Sequence, residues 1–161
     1  MNEQELKQHL LNIVQEFASK RNEAENYVRE HDKLQDASRP TFKTDEEKWK
    51  WFKENPQTNW FDEFSKLLSP LIDIYCTDKR RVYGGKNGYS FGFPVQYNGI
   101  ENPVETSVEI KNKNRAEVYI KTDTNFKDEY LFVLLRKKDE WKIDNYKGRR
   151  YGNTKWDNKI L

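Results

Sequence analysis

"EYLFVLLRKKDEWKID", residues 129–144, decides how this chain is read. Tyr130 to Leu135 is an apolar run of strand length, "KKDE" (137–140) is a charged turn, and Trp141 and Ile143 then resume with a period of two. A turn centred on Lys138 and Asp139 pairs Arg136 with Trp141, Leu134 with Ile143 and Phe132 with Asn145. Phe132, Leu134, Trp141 and Ile143 then share one face. Leu131, Val133 and Leu135 fall on the other, beside Lys142, Asp144 and Tyr146. A sheet apolar on both faces must be covered on both. Helices supply one cover; the other requires a remaining segment, a second subunit or a foreign partner.

The extended stretch 136–150 holds seven basic residues in fifteen positions, which invites comparison with a nucleic-acid hook. Lysines at turns and sheet edges are also ordinary protection against edge-to-edge aggregation. The interleaved Trp141, Ile143 and Tyr146 favour the hairpin.

Upstream, the same period of two appears at Tyr89, Phe91 and Phe93, at Val108 and Ile110, and at Ala116, Val118 and Ile120. The connections "KNKN" (111–114) and "DTNFKD" (123–128) are of hairpin length. Four or five antiparallel strands in a meander follow, spanning about 82–148, with a tail at 149–161.

The first half of the chain has helical periodicity. Leu6, Leu10, Ile13, Val14, Phe17, Arg21, Ala24, Val28 and His31 form the stripe of one long amphipathic helix ending near Gln35. Thr44 and Glu47 make a capping box, and Trp49 and Phe52 face one side of a short second helix that Pro56 closes. A third helix begins near Thr58 or Asn59. Its apolar positions Trp60, Phe61, Phe64, Leu67, Leu68, Leu71, Ile72, Ile74 and Tyr75 cover a wide arc, so it should be the most buried of the three. Pro70 predicts a kink or break near Lys66–Ser69. The three helices occupy about 3–77, and one domain covers 1–161.

Composition sets the class. Charged residues make up 35% of 161 and mean hydropathy is -1.13, but the net charge is only +2, which removes the self-repulsion that keeps disordered chains open. Nine Phe, nine Tyr and five Trp supply an aromatic core. Residues 1–78 carry 11 basic and 16 acidic side chains, residues 79–161 carry 18 and 11, so an acidic helical half meets a basic sheet half. The N-terminus has no signal-peptide pattern, no stretch is apolar enough for a membrane helix, and the single Cys76 fits a reducing cytoplasm.

Three helices followed by "EYLFVLLRKKDEWKID" resemble the cone-shaped α+β fold of nuclear transport factor 2. "YSFGFPVQYNGIENPVETSVEIKNKNRAEVYI" (89–120) is similar to one branch, the small bacterial immunity proteins that neutralise polymorphic or contact-dependent toxins. The resemblance implies a cytoplasmic inhibitor that blocks the active site of one cognate toxin domain, with no catalysis and no cofactor. It carries no catalytic motif across. If the toxin's own surface is cationic, the acidic side would meet it: Asp32 and Asp36 at the end of the first helix, and Glu46, Glu47, Trp51 and Glu54 on the second. Trp51 points away from Trp49 and Phe52, so an exposed indole among acids is the expected anchor; a half-exposed Trp covering the helix pair is the plainer reading.

The alternative implied by the fold is a small-molecule binder, or an isomerase or dehydratase, using the pocket between sheet and helices. Asp73 and Tyr75 on the third helix are its candidates. His9 and His31 lie on the first helix, His31 on the apolar stripe as a packing residue. "GGKNG" (84–88) lacks phosphate-loop spacing and reads as a loop; "DTNFKDE" lacks the glycine and distal Glu of a calcium loop and reads as a turn. Lys79, Arg80, Arg81, Lys86, Arg149 and Arg150 could track a phosphate backbone, but 27 acidic residues and a pI near 8.5 oppose nucleic-acid binding. A homodimer through the second sheet face is compatible with either function.

Overall fold

A computed structural model describes residues 1–81 and 90–161. Three helices, α1 (Glu3–Ala37), α2 (Asp45–Glu54) and α3 (Trp60–Tyr75), precede five strands: β1 (Glu105–Asn112), β2 (Arg115–Lys121), β3 (Glu129–Lys137), β4 (Glu140–Arg149) and β5 (Asp157–Lys159). The strands form one antiparallel sheet in the order β1-β2-β3-β4-β5, the α+β meander that the sequence predicts. The loop expected at 84–88, Tyr89 and Lys86 lie outside the described residues. Among the described residues, no helix is long and apolar enough to cross a membrane.

α1 starts at a capping box: Asn2 Oδ1 accepts the Glu5 amide at 2.8 Å, and the Glu5 carboxylate accepts the Asn2 amide at 3.1 Å. Its stripe buries Leu10, Val14, Phe17, Ala18 and Val28, together with Arg21, Asn22 and Glu25. Each large apolar side chain withdrawn from water contributes roughly 1.5–3 kcal/mol. α3 buries Phe64, Leu68, Ile72 and Tyr75, fewer residues than α1, and leaves Phe61, Leu67 and Ile74 exposed. Four of its 16 residues are buried against eight of 35 in α1 and none of ten in α2, so for its length α3 is buried at least as fully as α1, although part of its wide apolar arc faces solvent. The expected break is absent, and the helix runs through Pro70 from Trp60 to Tyr75. Phe64 and Ile72 are held in the core on either side of the missing N–H, which offsets the loss of one bond.

The β3–β4 hairpin turns at Lys138 and Asp139, both with positive φ (51° and 62°), the left-handed pair that a two-residue turn requires. Arg136 faces Trp141 and Leu134 faces Ile143, as the pattern predicts. Beyond that point the register shifts: Val133 faces Asn145 and Phe132 faces Tyr146, so Asp144 is an extra residue. This bulge corrects the expected pairing of Phe132 with Asn145 and moves Tyr146 to the inner face, where it stacks on Phe132 with centroids 5.3 Å apart. The segment leaving α3 holds the extra residue. Thr77 Oγ1 donates to the Asp144 carboxylate at 2.8 Å, Lys79 pairs with it at 3.1 Å, and Arg81 donates to the Asp144 carbonyl at 3.0 Å. Cys76 forms a parallel bridge with Ile143, and burial pushes its thiol up to about 12.

Phe91 and Phe93 do not form the first strand. Residues 90–104 are an irregular, turn-rich segment with a cis Phe93–Pro94 bond, and the sheet begins at Glu105. The tail supplies the fifth strand, with Asp157, Asn158 and Lys159 pairing with Gly148, Lys147 and Tyr146. Leu161 returns to the core cluster.

Candidate functional site

Two regions could carry function: the inside of the cone and the helical arm beyond it. The inside is filled by side chains. Tyr97, from the irregular segment, is fully buried and touches four rings: Phe17 at 5.9 Å, Tyr130 at 6.0 Å, Phe132 at 5.5 Å and Tyr146 at 5.1 Å between centroids. Edge-to-face and offset arrangements of this kind add to the area term.

α1 places a polar cluster beneath that segment. Arg21 pairs with Glu25 at 2.6 Å, both side chains being less than 5% exposed, and the guanidinium lies over Phe64 and Tyr97. Glu25 also accepts the amides of Gly92 at 3.0 Å and Gln96 at 3.1 Å. Asn22 bonds both backbone groups of Tyr97 and, through Nδ2, Glu101 at 3.0 Å. A buried ion pair is tolerated only when its remaining bonding capacity is met, and here the irregular segment meets much of it. The cluster positions Tyr97; it does not face a substrate space. Arg21 on an apolar stripe, with Glu25 one turn further on, is the cluster's visible sequence signal; the roles of Glu25 and Asn22 depend on partners about 70 positions away, which periodicity does not show.

The enzyme candidates diverge. Asp73 is exposed beside a surface depression of about 320 Å³ that Cys76, Lys79 and Arg81 also line. Tyr75 has its ring against Phe17, while its hydroxyl donates to Glu16 at 3.2 Å and accepts from Lys20 at 3.0 Å, at the flank of α1. His31 packs between Tyr27 and Trp60 and contacts the Tyr27 carbonyl at 2.8 Å; His9 is exposed. Of the basic residues named for phosphate contact, Lys79, Arg81, Arg149 and Arg150 are committed internally, whereas Arg80 is exposed. Arg149 donates two bonds to Glu129 at 3.0 and 3.2 Å and stacks on Trp156, and Arg150 pairs with Asp128 at 3.4 Å. Both pairs line a cleft of about 480 Å³ bounded by residues 94–98 and β5. The 123–128 turn is closed by Thr124, which bonds the Asp128 carboxylate and amide, and by a Lys127–Asp123 ion pair.

The helical arm is built differently. α2 buries none of its ten residues. The connection that follows it is fastened to the end of α1 by Gln35, which exchanges a pair of hydrogen bonds with the Thr58 backbone at 3.0 and 2.9 Å, and Arg39, just past α1, reaches Gln57 at 3.1 Å while lying over Phe52 of α2. Phe42, Trp51 and Phe52 form a small ring cluster with centroids 5.1–6.0 Å apart.

Among the residues expected to contact a partner, Glu46 and Glu54 are exposed and form no ion pair among the described residues. Glu47 is exposed but works at the helix start, accepting the Lys43 amide at 3.1 Å while its own amide bonds Thr44 Oγ1. Asp36 pairs with Arg39 at 2.8 Å, and Asp32 is half-buried on α1. Trp51 is not the exposed indole: it is half-buried against Phe42 and Phe52, and Trp49 is exposed instead. The loop before α2 places Phe42 over the side that the helix pattern alone leaves open, which the α2 sequence could not reveal.

The family model described as NTF2 fold immunity protein matches residues 41–159, from the loop before α2 through β5. The chain is 29% identical over 105 residues to immunity protein RhsIA of Dickeya dadantii (strain 3937), covering 65% of this chain and 76% of that protein. No solved structure matches.

Proposed function

This chain belongs to the NTF2 fold immunity protein family, whose members neutralise toxins, and we propose that it does so as a cytoplasmic, non-catalytic inhibitor that covers the active site of one cognate toxin domain. The observation that carries this reading is the contrast between the two regions. The inside of the cone is taken up by Tyr97 and its ring partners, whereas α2 presents aromatic and charged side chains that the fold does not bury. A solvated surface of mixed charge steers association and rejects wrong partners, which suits an inhibitor matched to one toxin.

The toxin-facing surface in this proposal is the arm: Asp32 and Asp36 of α1, and Glu46, Glu47, Trp51 and Glu54 of α2. Glu46 and Glu54 make direct charge contacts, while Trp51, Asp36 and Glu47 hold the arm in shape. A homodimer through the outer sheet face, where Leu131 and Leu135 are half-buried, is compatible with this use of the arm.

The test is co-expression of this chain with the toxin domain encoded beside its gene. Restored growth, and co-elution of the chain with an inactivated toxin domain, are the expected results. Growth arrest despite abundant folded chain overturns the proposal. Reversing Glu46 and Glu54 to Lys should weaken the complex about tenfold and reduce its salt dependence.

A further inference from the structure

Trp49 is 76% exposed, and among the described residues its side chain makes no hydrogen bond or ring contact. On a ten-residue helix, Trp49 and Lys53 lie one turn apart, as do Glu46 and Lys50, so these four share the solvent arc opposite the Trp51 side. Trp49, Phe52, Lys50 and Lys53 line a shallow, mainly apolar depression. Among the described residues, Lys50 and Lys53 form no ion pair. A large ring flanked by uncommitted cations is a surface prepared for a partner that supplies both an apolar pocket and negative charge.

We infer that Trp49 is the anchor residue of the toxin interface: its indole inserts into an apolar pocket of the toxin domain, and Lys50 and Lys53 meet carboxylates at the rim of that pocket. This rests on the reading of α2 as the toxin-facing arm and moves the anchor from Trp51 to Trp49. Charge chooses the occupant. In a two-fold contact with a second copy centred on Trp49, Lys50 and Lys53 of each chain would face each other with only Glu46 of each chain to offset them, so the seam would keep a net positive charge. A phosphate backbone would meet Asp45, Glu46, Glu47 and Glu54 on the same helix.

The experiment titrates the inactivated toxin domain encoded beside the gene into the full chain by calorimetry. Trp49→Ala should weaken binding by about 30-fold or more, the size of an aromatic hot spot, while leaving circular dichroism and the unfolding midpoint unchanged. Trp49→Phe should restore part of the loss. Lys50→Glu with Lys53→Glu should weaken binding about tenfold and change its salt dependence, since rim charges act that way. Wild-type binding with Trp49→Ala within twofold of it overturns this inference and leaves the arm as a binding surface. No binding by the wild type overturns the toxin-facing reading itself, and this inference with it. A Trp49-dependent dimer in sedimentation, with toxin affinity unaffected by Trp49→Ala, assigns the ring to self-association and overturns the inference.

Discussion

The side-chain amide of Asn22 holds the backbone of Tyr97 at both of its groups: Nδ2 donates to the Tyr97 carbonyl at 2.9 Å, and Oδ1 accepts the Tyr97 amide at 3.2 Å. A helix residue thereby replaces the neighbouring strand that an irregular segment lacks. Without it, a buried N–H and C=O would be left unpaired. Asn22→Ala should cost about 2–3 kcal/mol in urea unfolding, because both backbone groups lose their partner at once. A loss below about 0.5 kcal/mol would mean that the segment rearranges freely and that the grip on Tyr97 is incidental.

Tyr97 gives a prediction of the opposite sign. Its hydroxyl is buried with no hydrogen-bond partner among the described residues, and burial pushes its pKa well above the ordinary value of 10.0. Tyr97→Phe should leave stability unchanged or raise it by up to about 1 kcal/mol, since removing an unpaired buried hydroxyl removes a desolvation cost. Tyr146→Phe should lower stability by about 1 kcal/mol, because Gln96 donates to that hydroxyl at 3.0 Å. Equal losses from the two variants would show that Tyr97 has a polar partner after all. Thermal unfolding of the pair side by side makes the comparison.

Acid should unfasten the outer face of the sheet. Burial alone would raise the Glu129 carboxyl, but hydrogen bonds from Arg149 and Tyr119 hold it below its ordinary value of 4.5. A carboxylate whose value is lowered on folding contributes stability that is fully present above the unfolded value and is lost as pH falls through the folded one. Unfolding midpoints should therefore be flat near neutrality and fall below about pH 4.5, and Glu129→Gln should make that fall shallower. Asp144, lowered despite its burial by bonds from Thr77 and Lys79, adds to the same window. Identical acid profiles for Glu129→Gln and the wild type would show that the latch does not contribute.

Most of the fold was legible because local signals agreed. The capping residues at Thr44 and Asn59, the stripe of α1 and the apolar run of β3 each point to one element, and the two-residue turn at Lys138 and Asp139 fixes the start of the hairpin. The misplacements share a cause. Phe91 and Phe93 alternate like strand residues but are held as an irregular segment by Glu25 and Asn22, residues about 70 positions away. Tyr146 changed faces because Asp144 bulges toward Thr77 and Lys79, again a long-range contact. Periodicity within a strand carries no information about either.

The arm was half legible. The carboxylates and the two tryptophans of α2 are plain in the sequence, and the helix wheel separates Trp49 from Trp51. Which indole meets solvent depended on where Phe42 and Arg39 came to rest.

By itself, then, the sequence determined the three helices, the order of the strands from Glu105 to Arg149, the inward faces of α1, β2 and β3, and a charged exterior, because these follow from spacing and composition along the chain. Tertiary structure alone decided that Tyr97 fills the cone, that a bulge turns Tyr146 inward and that Trp49 is left to solvent. Each of those outcomes is set by which distant group claims a backbone amide or a ring face, and that competition is settled only when the chain is folded.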